Sequence, residues 1–410
     1  MTSSTIESPL PNSIPRSAPL SNSAARLNTP RRDEGIDVTR SIAILGMFVI
    51  HAVLVLATGY PRSGPMAFVL WLCDGRAAAT FVTLAGFGVA RLASKTPSAS
   101  VGATLRRRAL ILWGMGVLNL IIWPGDILRV YGVALLLAPF MLRWSIRARL
   151  ALAVALVLLF TFGMVVFDWT KHWDLATLTY VGVWTPAGFV RNLFFDGFRP
   201  VVPWLSFFLV GTVIAEWDLH RVAIQRRLVG FGLAATLTAL GVSLSLDRVL
   251  VRTAPQIDAL TREGLVGTTS LPPLPLFMLS AMGTTSLLLG AVLLLVRVAP
   301  RRMVDALAAT GRRALTWYLL HVMVLVSLYA TPTRNALSAE AAVLVGVALF
   351  VVAVTWSGTH DATVGLFERI MRRLSSGLSD SPPAISWSRT LTPQSVHSAS
   401  REDRGVTERD

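Results

Sequence analysis

The sequence predicts an all-α fold, a polytopic transmembrane bundle of about ten helices with both termini cytoplasmic. Three observations predict it. Of 410 residues, 53% are apolar and only 15% are charged, whereas soluble domains carry roughly a quarter charged residues. The apolar residues gather in continuous runs near the roughly 20-residue length that a bilayer demands of a helix, unlike the short alternating strands of a barrel. The positive residues gather in alternate connections between those runs. Helices satisfy every backbone group inside lipid, so they are the spanning option that remains. The lone cysteine, Cys73, excludes a disulfide framework, a cysteine-rich zinc site and an iron–sulfur cluster.

Residues 1–36 are rich in Ser, Pro, Asn and Arg and lack an apolar run, so they read as a disordered cytoplasmic tail. No signal peptide is expected, because no short apolar stretch precedes a small-residue cleavage site. The membrane domain is expected over 37–374, with runs near 38–58, 66–92, 107–123, 127–143, 148–167, 201–216, 228–246, 274–296, 314–331 and 341–358. Trp123-Pro124-Gly125-Asp126 marks a tight hairpin between the third and fourth. Residues 375–410 form a second polar tail.

The net charge of +15 at first suggests a nucleic-acid partner. On this topology about +13 of it falls in four connections on the side of the termini, around Arg91, Arg106–Arg108, Arg143–Arg149, Arg221–Arg227 and Arg297–Arg313. The excess is an orientation signal for a cell-membrane protein, and no nucleic acid is expected. The 168–200 and 247–273 loops then face outward.

The first run contains the candidate chemistry. Arg40 and His51 are eleven residues apart, almost three turns, so they share one helix face about 16 Å apart along the axis. An ionisable group at the depth of His51 costs several kcal/mol unless it is partnered or faces water. A backbone carbonyl within the bundle would satisfy it as well as a catalytic role would. The second run brings Asp74-Gly75-Arg76 to a similar depth. Those two residues read either as a self-contained pair that fixes packing, or as an acid that orients the His51 imidazole with an arginine beside it. Ala77–Ala79, Gly86 and Gly88 permit close helix approach. Asp126 reads as a turn residue or as a contact to an external substrate. His321 is a second intramembrane imidazole, with Trp317 and Tyr318 four and three residues earlier on its face; a core role competes with substrate binding there. His172, His220 and His397 form no metal-ligand spacing, and no metal is expected. His360 and Asp361 read as an interfacial pair.

The Arg-x10-His spacing of Arg40 and His51 resembles that of the transmembrane acyltransferase superfamily. More closely, the chain resembles its heparan-alpha-glucosaminide N-acetyltransferase branch, related to DUF418 and acyltransferase 3 membrane proteins. The likeness is carried by Asp37 to His51, Asp74 to Gly88, Asp126 to Gly132, Pro200 to Trp204 and Gly311 to His321, and by the ending Gly365 to Arg372. Ser41 replaces the glycine that often follows the arginine. DUF418 proteins commonly have asparagine where this chain has His51, so the histidine favours the acyltransferase branch.

The resemblance implies transfer of an acyl group, chiefly acetyl, from cytoplasmic acyl-CoA to an amine or hydroxyl of an outward-facing sugar or other acceptor. Acyl-CoA is a co-substrate, and no permanently bound cofactor is expected. His51 would be general base or acyl carrier, Asp74 its orienting acid, and Arg76 or Tyr131 a stabiliser of the oxyanion. Arg40, Arg106, Arg107 and Arg108 would hold the CoA phosphates, as arginines do bidentately. Asp126, Tyr131 and His321 would meet the acceptor. A transporter or flippase for a lipid-linked or small polar solute is the rival, and a non-catalytic scaffold the third reading; oligomeric state is left open. No inverted repeat of the transporter kind is evident.

Overall fold

The computed structural model describes residues 34–96, 98–174, 179–360 and 364–375. Of the expected tails over 1–36 and 375–410, residues 1–33 and 376–410 lie outside the described residues, as do Asp361 and His397. The fold is all-α apart from one two-residue antiparallel pairing.

Helix α1 (Glu34–Leu56) opens with Glu34 and Asp37 in its first turn, where carboxylates favour the helix dipole. It starts before position 37, so Glu34, Gly35 and Ile36 belong to the bundle. The second expected span is two helices, α2 (Gly64–Cys73) and α3 (Arg76–Lys95). The break follows from Gly75, whose φ of +65° suits glycine. A Cβ there would also lie 2.3 Å from Ser270 Cβ. Helix α4 (Ser98–Ile122) turns through Trp123–Asp126 into α5 (Leu128–Met141), the expected hairpin. Ser145 caps α6 (Ile146–Val166), accepting from the Ala148 amide.

The 168–200 loop is structured. It holds strands β1 (Trp173–Asp174) and β2 (Thr179–Tyr180), then α7 (Pro186–Arg191) and a π-helical turn over Asn192–Asp196. Asp196 organises it, accepting from the Tyr180 hydroxyl at 2.7 Å and from Arg191, while its carbonyl accepts from Trp173 Nε1 at 2.6 Å. Helices α8 (Val201–Ile214), α9 (Val222–Thr253), α10 (Ala259–Val266) and α11 (Pro275–Leu295) follow. The chain continues through α12 (Arg301–Arg312), α13 (Ala314–Tyr329), α14 (Ala339–Thr359) and α15 (Leu366–Ser375).

Among the described residues, six units are long and apolar enough to cross a membrane: α1, the 64–95 pair, α6, α9, α11 and α14. A seventh appears when 186–196 and α8, bent by 47°, are taken together. The expectation of about ten is therefore met only in part by length and composition. Helices α5 and α13 are apolar but short, and Arg106–Arg108 interrupt the apolar length of α4.

Helix α1 is the centre, packing against α2, α3, α11, α12, α13 and α14. Helices α3 and α8 cross so closely that a Cβ on Gly86 would lie 2.0 Å from the Phe208 carbonyl oxygen. Glu34 takes both Arg301 guanidinium nitrogens at 2.6 Å. Arg313 binds the carbonyls of Ala309 and Ser357 at 3.2 Å and that of His360. Glu368 accepts from the Leu315 and Thr316 amides at 2.8 and 3.1 Å. The start of α1, the end of α14 and helix α15 thus share one end of the bundle, called the near end below. Several near-end arginines bind terminal helix carbonyls. Arg149, for example, meets the Thr212 carbonyl at 3.3 Å as well as Glu216.

Candidate active site

His51 and His321 come together inside the bundle. His51 lies five turns into α1, and its ring is buried at 7% exposure. His321 lies two turns into α13 at 2%. Their Nδ1 and Nε2 atoms are 2.9 Å apart, with rings inclined by only 10°. Counted from the helix starts, they lie about 26 Å and 10 Å deep. The contact shows that the two helices do not begin at a common level.

The network assigns the tautomers. His321 Nδ1 is 3.2 Å from the Trp317 carbonyl oxygen, which can only accept, so that nitrogen carries the hydrogen. His321 Nε2 is then the lone-pair nitrogen and accepts from His51 Nδ1–H. His51 Nε2 is left with a lone pair. Phe48 stacks on His321 at 4.5 Å, Trp123 tilts over His51 at 4.8 Å and Tyr318 meets His321 edge-on at 5.5 Å. Of the two expected flanking aromatics, Tyr318 packs on the ring. Trp317 contributes its carbonyl and sends its indole to Ser357 at 3.0 Å.

The ring nitrogen that meets His51 belongs to His321, while Asp74 bonds elsewhere. The Asp74 carboxylate accepts from the Ser270 hydroxyl at 2.8 Å, held there by the break between α2 and α3. Arg76 is buried and engaged on several sides. It donates to the Asp74 carbonyl at 3.2 Å, the Thr268 carbonyl at 3.1 Å and the Ser280 hydroxyl at 2.7 Å, and lies 3.8 Å over Trp71. Those bonds tie α3 to the 268–280 segment. Together Asp74 and Arg76 help line a cavity of about 1060 Å³ at the far end.

Asp126 is met on both oxygens by donors of the protein itself, the arrangement of a turn residue. It accepts from Asn119 Nδ2 at 3.0 Å, from the Leu128 and Arg129 amides at 3.2 and 3.0 Å, and from Arg129 Nε at 3.2 Å. Arg129 continues to Asn192 at 3.1 Å. With its side chain fully buried, the Asp126 carboxylate fixes the start of α5.

Tyr131 differs. It is buried at 5% exposure, and its hydroxyl has no hydrogen-bond partner among the described residues. Its electrostatic neighbours are Tyr318 and Arg40. Arg40 pairs with Asp37 at 2.7 Å and keeps a quarter of its side chain exposed at the near end. Arg106 and Arg107 are exposed there as well. Arg107 reaches the Ser375 carbonyl at 3.4 Å, and Arg108 faces Arg372.

Arg199 was not singled out from the sequence. Its guanidinium lies within electrostatic range of His51, Asp74 and Tyr318, and 4.7 Å over Trp204. The only sequence signal was its position immediately before the Pro200–Trp204 segment. Among the described residues, no group of three or more His, Cys, Asp or Glu could hold a metal ion.

The family model described as heparan-alpha-glucosaminide N-acetyltransferase, catalytic, matches residues 32–246, more than half of the chain. That of DUF418, a protein family of unknown function, matches residues 220–377. No curated protein and no solved structure matches the chain.

Proposed function

The chain belongs to the heparan-alpha-glucosaminide N-acetyltransferase catalytic family, and on that premise we propose that it moves an acetyl group from cytoplasmic acetyl-CoA to an amine or hydroxyl on the opposite side of the membrane. The membrane domain, about 37–374, would cross ten times with its near end cytoplasmic. Helices α4, α5 and α13 and the bent 186–214 segment then complete the six long spans. The arginine-rich near end agrees with this orientation.

One observation carries the reading. The hydrogen-bonded chain from the Trp317 carbonyl through His321 to His51 leaves a basic nitrogen, His51 Nε2, at its end. An imidazole so oriented accepts a proton, and the lone pair of its partner stabilises the imidazolium that forms, the task a carboxylate performs in a catalytic triad. The acceptor nitrogen or oxygen attacks the thioester carbonyl carbon. Its bond to that carbon forms, the carbon–sulfur bond breaks, and CoA leaves as thiolate. The acceptor proton passes to His51 Nε2 and from there to the thiolate. Arg199 supplies positive charge where the carbonyl oxygen becomes anionic. Tyr131 offers an unspent hydroxyl between Arg40 and Tyr318, on the path a pantetheine arm would follow from the near end. Arg40, Arg106, Arg107 and Arg108 are the groups available to the CoA phosphates.

The test is CoA release by purified protein given acetyl-CoA and a panel of amino and hydroxyl sugars. Wild type releases CoA with at least one acceptor, and His51→Ala does not. Equal behaviour of the two proteins across the panel would remove the enzyme reading. Solute flux in proteoliposomes without any acyl donor would favour a transporter.

A further inference from the structure

The far-end cavity of about 1060 Å³ lies beside the bundle axis, bordered by α2, the end of α6, the middle of α9 and α10. Its depth can be read from α9. The residues of that helix between Arg227 and Asp247 are all uncharged, a stretch of about 28 Å at 1.5 Å per residue, close to the roughly 30 Å hydrocarbon thickness of a bilayer. Leu240, which lines the cavity, sits inside that stretch, about 10 Å below Asp247. The cavity therefore reaches down to the depth of lipid tails.

Its walls are graded in polarity. Phe68, Phe167, Leu260 and Leu265 line it and are at least half exposed, so the wall continues into the outer apolar surface of the bundle. Helix α10 has no buried residue, and α2 buries only Leu70. Where α2 gives way to α3 the lining is polar, with Asp74, Arg76 and Thr268 beside Trp71. Glu263 and Asp168 add two further acids, and hydrogen bonds from Thr170 hold the Asp168 carboxyl below the ordinary carboxylate range. Arg62 faces Glu263 at 3.9 Å, and both terminal nitrogens of Arg76 are engaged by carbonyls and a hydroxyl, with its Nε alone left without a partner among the described residues. A water-borne sugar gains nothing from apolar walls open to lipid. A molecule with a hydrocarbon chain and a cationic head matches both ends.

We propose that this cavity takes the acceptor as a bilayer-borne amphiphile, its chain against Phe68 and Leu265 and its amine-bearing head over Asp74. This deepens the acyl-transfer reading and rests on it for the fate of the amine. Asp74 is the link, since it lines the cavity and lies within electrostatic range of the same Arg199 that faces His51.

The experiment uses the full-length protein in lipid nanodiscs and amino sugars carrying a methyl, octyl or dodecyl aglycone. KM for the dodecyl probe is expected to be at least tenfold below that for the methyl probe. Phe68→Glu and Leu265→Glu, both at exposed positions, should shrink that ratio at least fivefold. Partitioning of the chain into bulk lipid would lower KM equally in all three proteins, and that result overturns the proposal. In parallel, a dodecyl probe with a diazirine in its chain is photolysed without acetyl-CoA and the labelled peptides are mapped. Labelling within residues 60–72, 164–170 or 260–272, competed by unmodified probe, supports the site even if no transfer occurs, which isolates failure of the acyltransferase reading. Transfer without chain-length preference and without labelling there removes the lipid site and leaves the enzyme standing.

Discussion

Two buried polar clusters sit in the same bundle and differ in one respect. Around Asp126, every carboxylate oxygen is met by protein donors from Asn119, Leu128 and Arg129, and Arg129 goes on to Asn192. Around His51, the hydrogen-bond chain ends on a free lone pair, and the nearby Tyr131 hydroxyl and Trp123 indole nitrogen have no partner among the described residues. Burial alone therefore does not mark a reactive group, because both clusters are buried. A closed network holds helices in register, whereas an open one leaves valence for a ligand or a proton.

Substitutions can break or sharpen that contrast. The largest effect is expected at the open end. His51→Ala should cost roughly 10³-fold in kcat, the scale of a lost general base, with the melting temperature in detergent nearly unchanged. Asp126→Ala should do the reverse, lowering stability by about 3–5 kcal/mol because Arg129 is left buried without its carboxylate. Removing both charges in Asp126→Asn with Arg129→Leu should recover part of that loss in a thermal-shift assay. Equal melting temperatures for wild type and Asp126→Ala would erase the distinction between the clusters.

His321 tests whether the second imidazole orients the first. His321→Leu should lower kcat by roughly 10²-fold with KM little changed. His321→Gln, whose amide oxygen can accept from His51 Nδ1–H, should restore about tenfold of it. A residue with a merely packing role would show no such rescue. The smallest effect belongs to Tyr131→Phe. It removes a hydroxyl that has no hydrogen-bond partner among the described residues, so stability should hold or rise. KM for acetyl-CoA should increase about tenfold, the value of one hydrogen bond at roughly 1.4 kcal/mol.

The limits of the spans were legible along the chain, within a few residues for most of them. The runs expected at 274–296, 314–331 and 341–358 became Pro275–Leu295, Ala314–Tyr329 and Ala339–Thr359. Helices α10, α12 and α15 were not anticipated, since short amphipathic or surface helices carry too few apolar residues to stand out as runs. The need for glycine at the break was hidden in part because the side chains that leave no room for a Cβ there, Ser270 and Phe277, lie about 200 residues away in sequence.

Of the candidate site, His51 stood out because an ionisable residue deep in an apolar run needs a partner. Its contact with His321 was not legible: if neighbouring helices all began at one plane, Asp74 would lie level with His51 and His321 in the other half of the membrane, whereas the two imidazoles meet at 2.9 Å. Lipid makes the first kind of information local: an apolar run of sufficient length must become a helix, whatever surrounds it. The order of the apolar runs, the arginine-rich connections and the candidate histidine were therefore legible in the chain alone, whereas the count of long spans was not. Tilt, level and approach of helices 270 residues apart depend on packing between side chains that no linear pattern records. Those decided that His321 meets His51, that Asp126 is enclosed by protein donors, and that Asp74 lines a cavity instead.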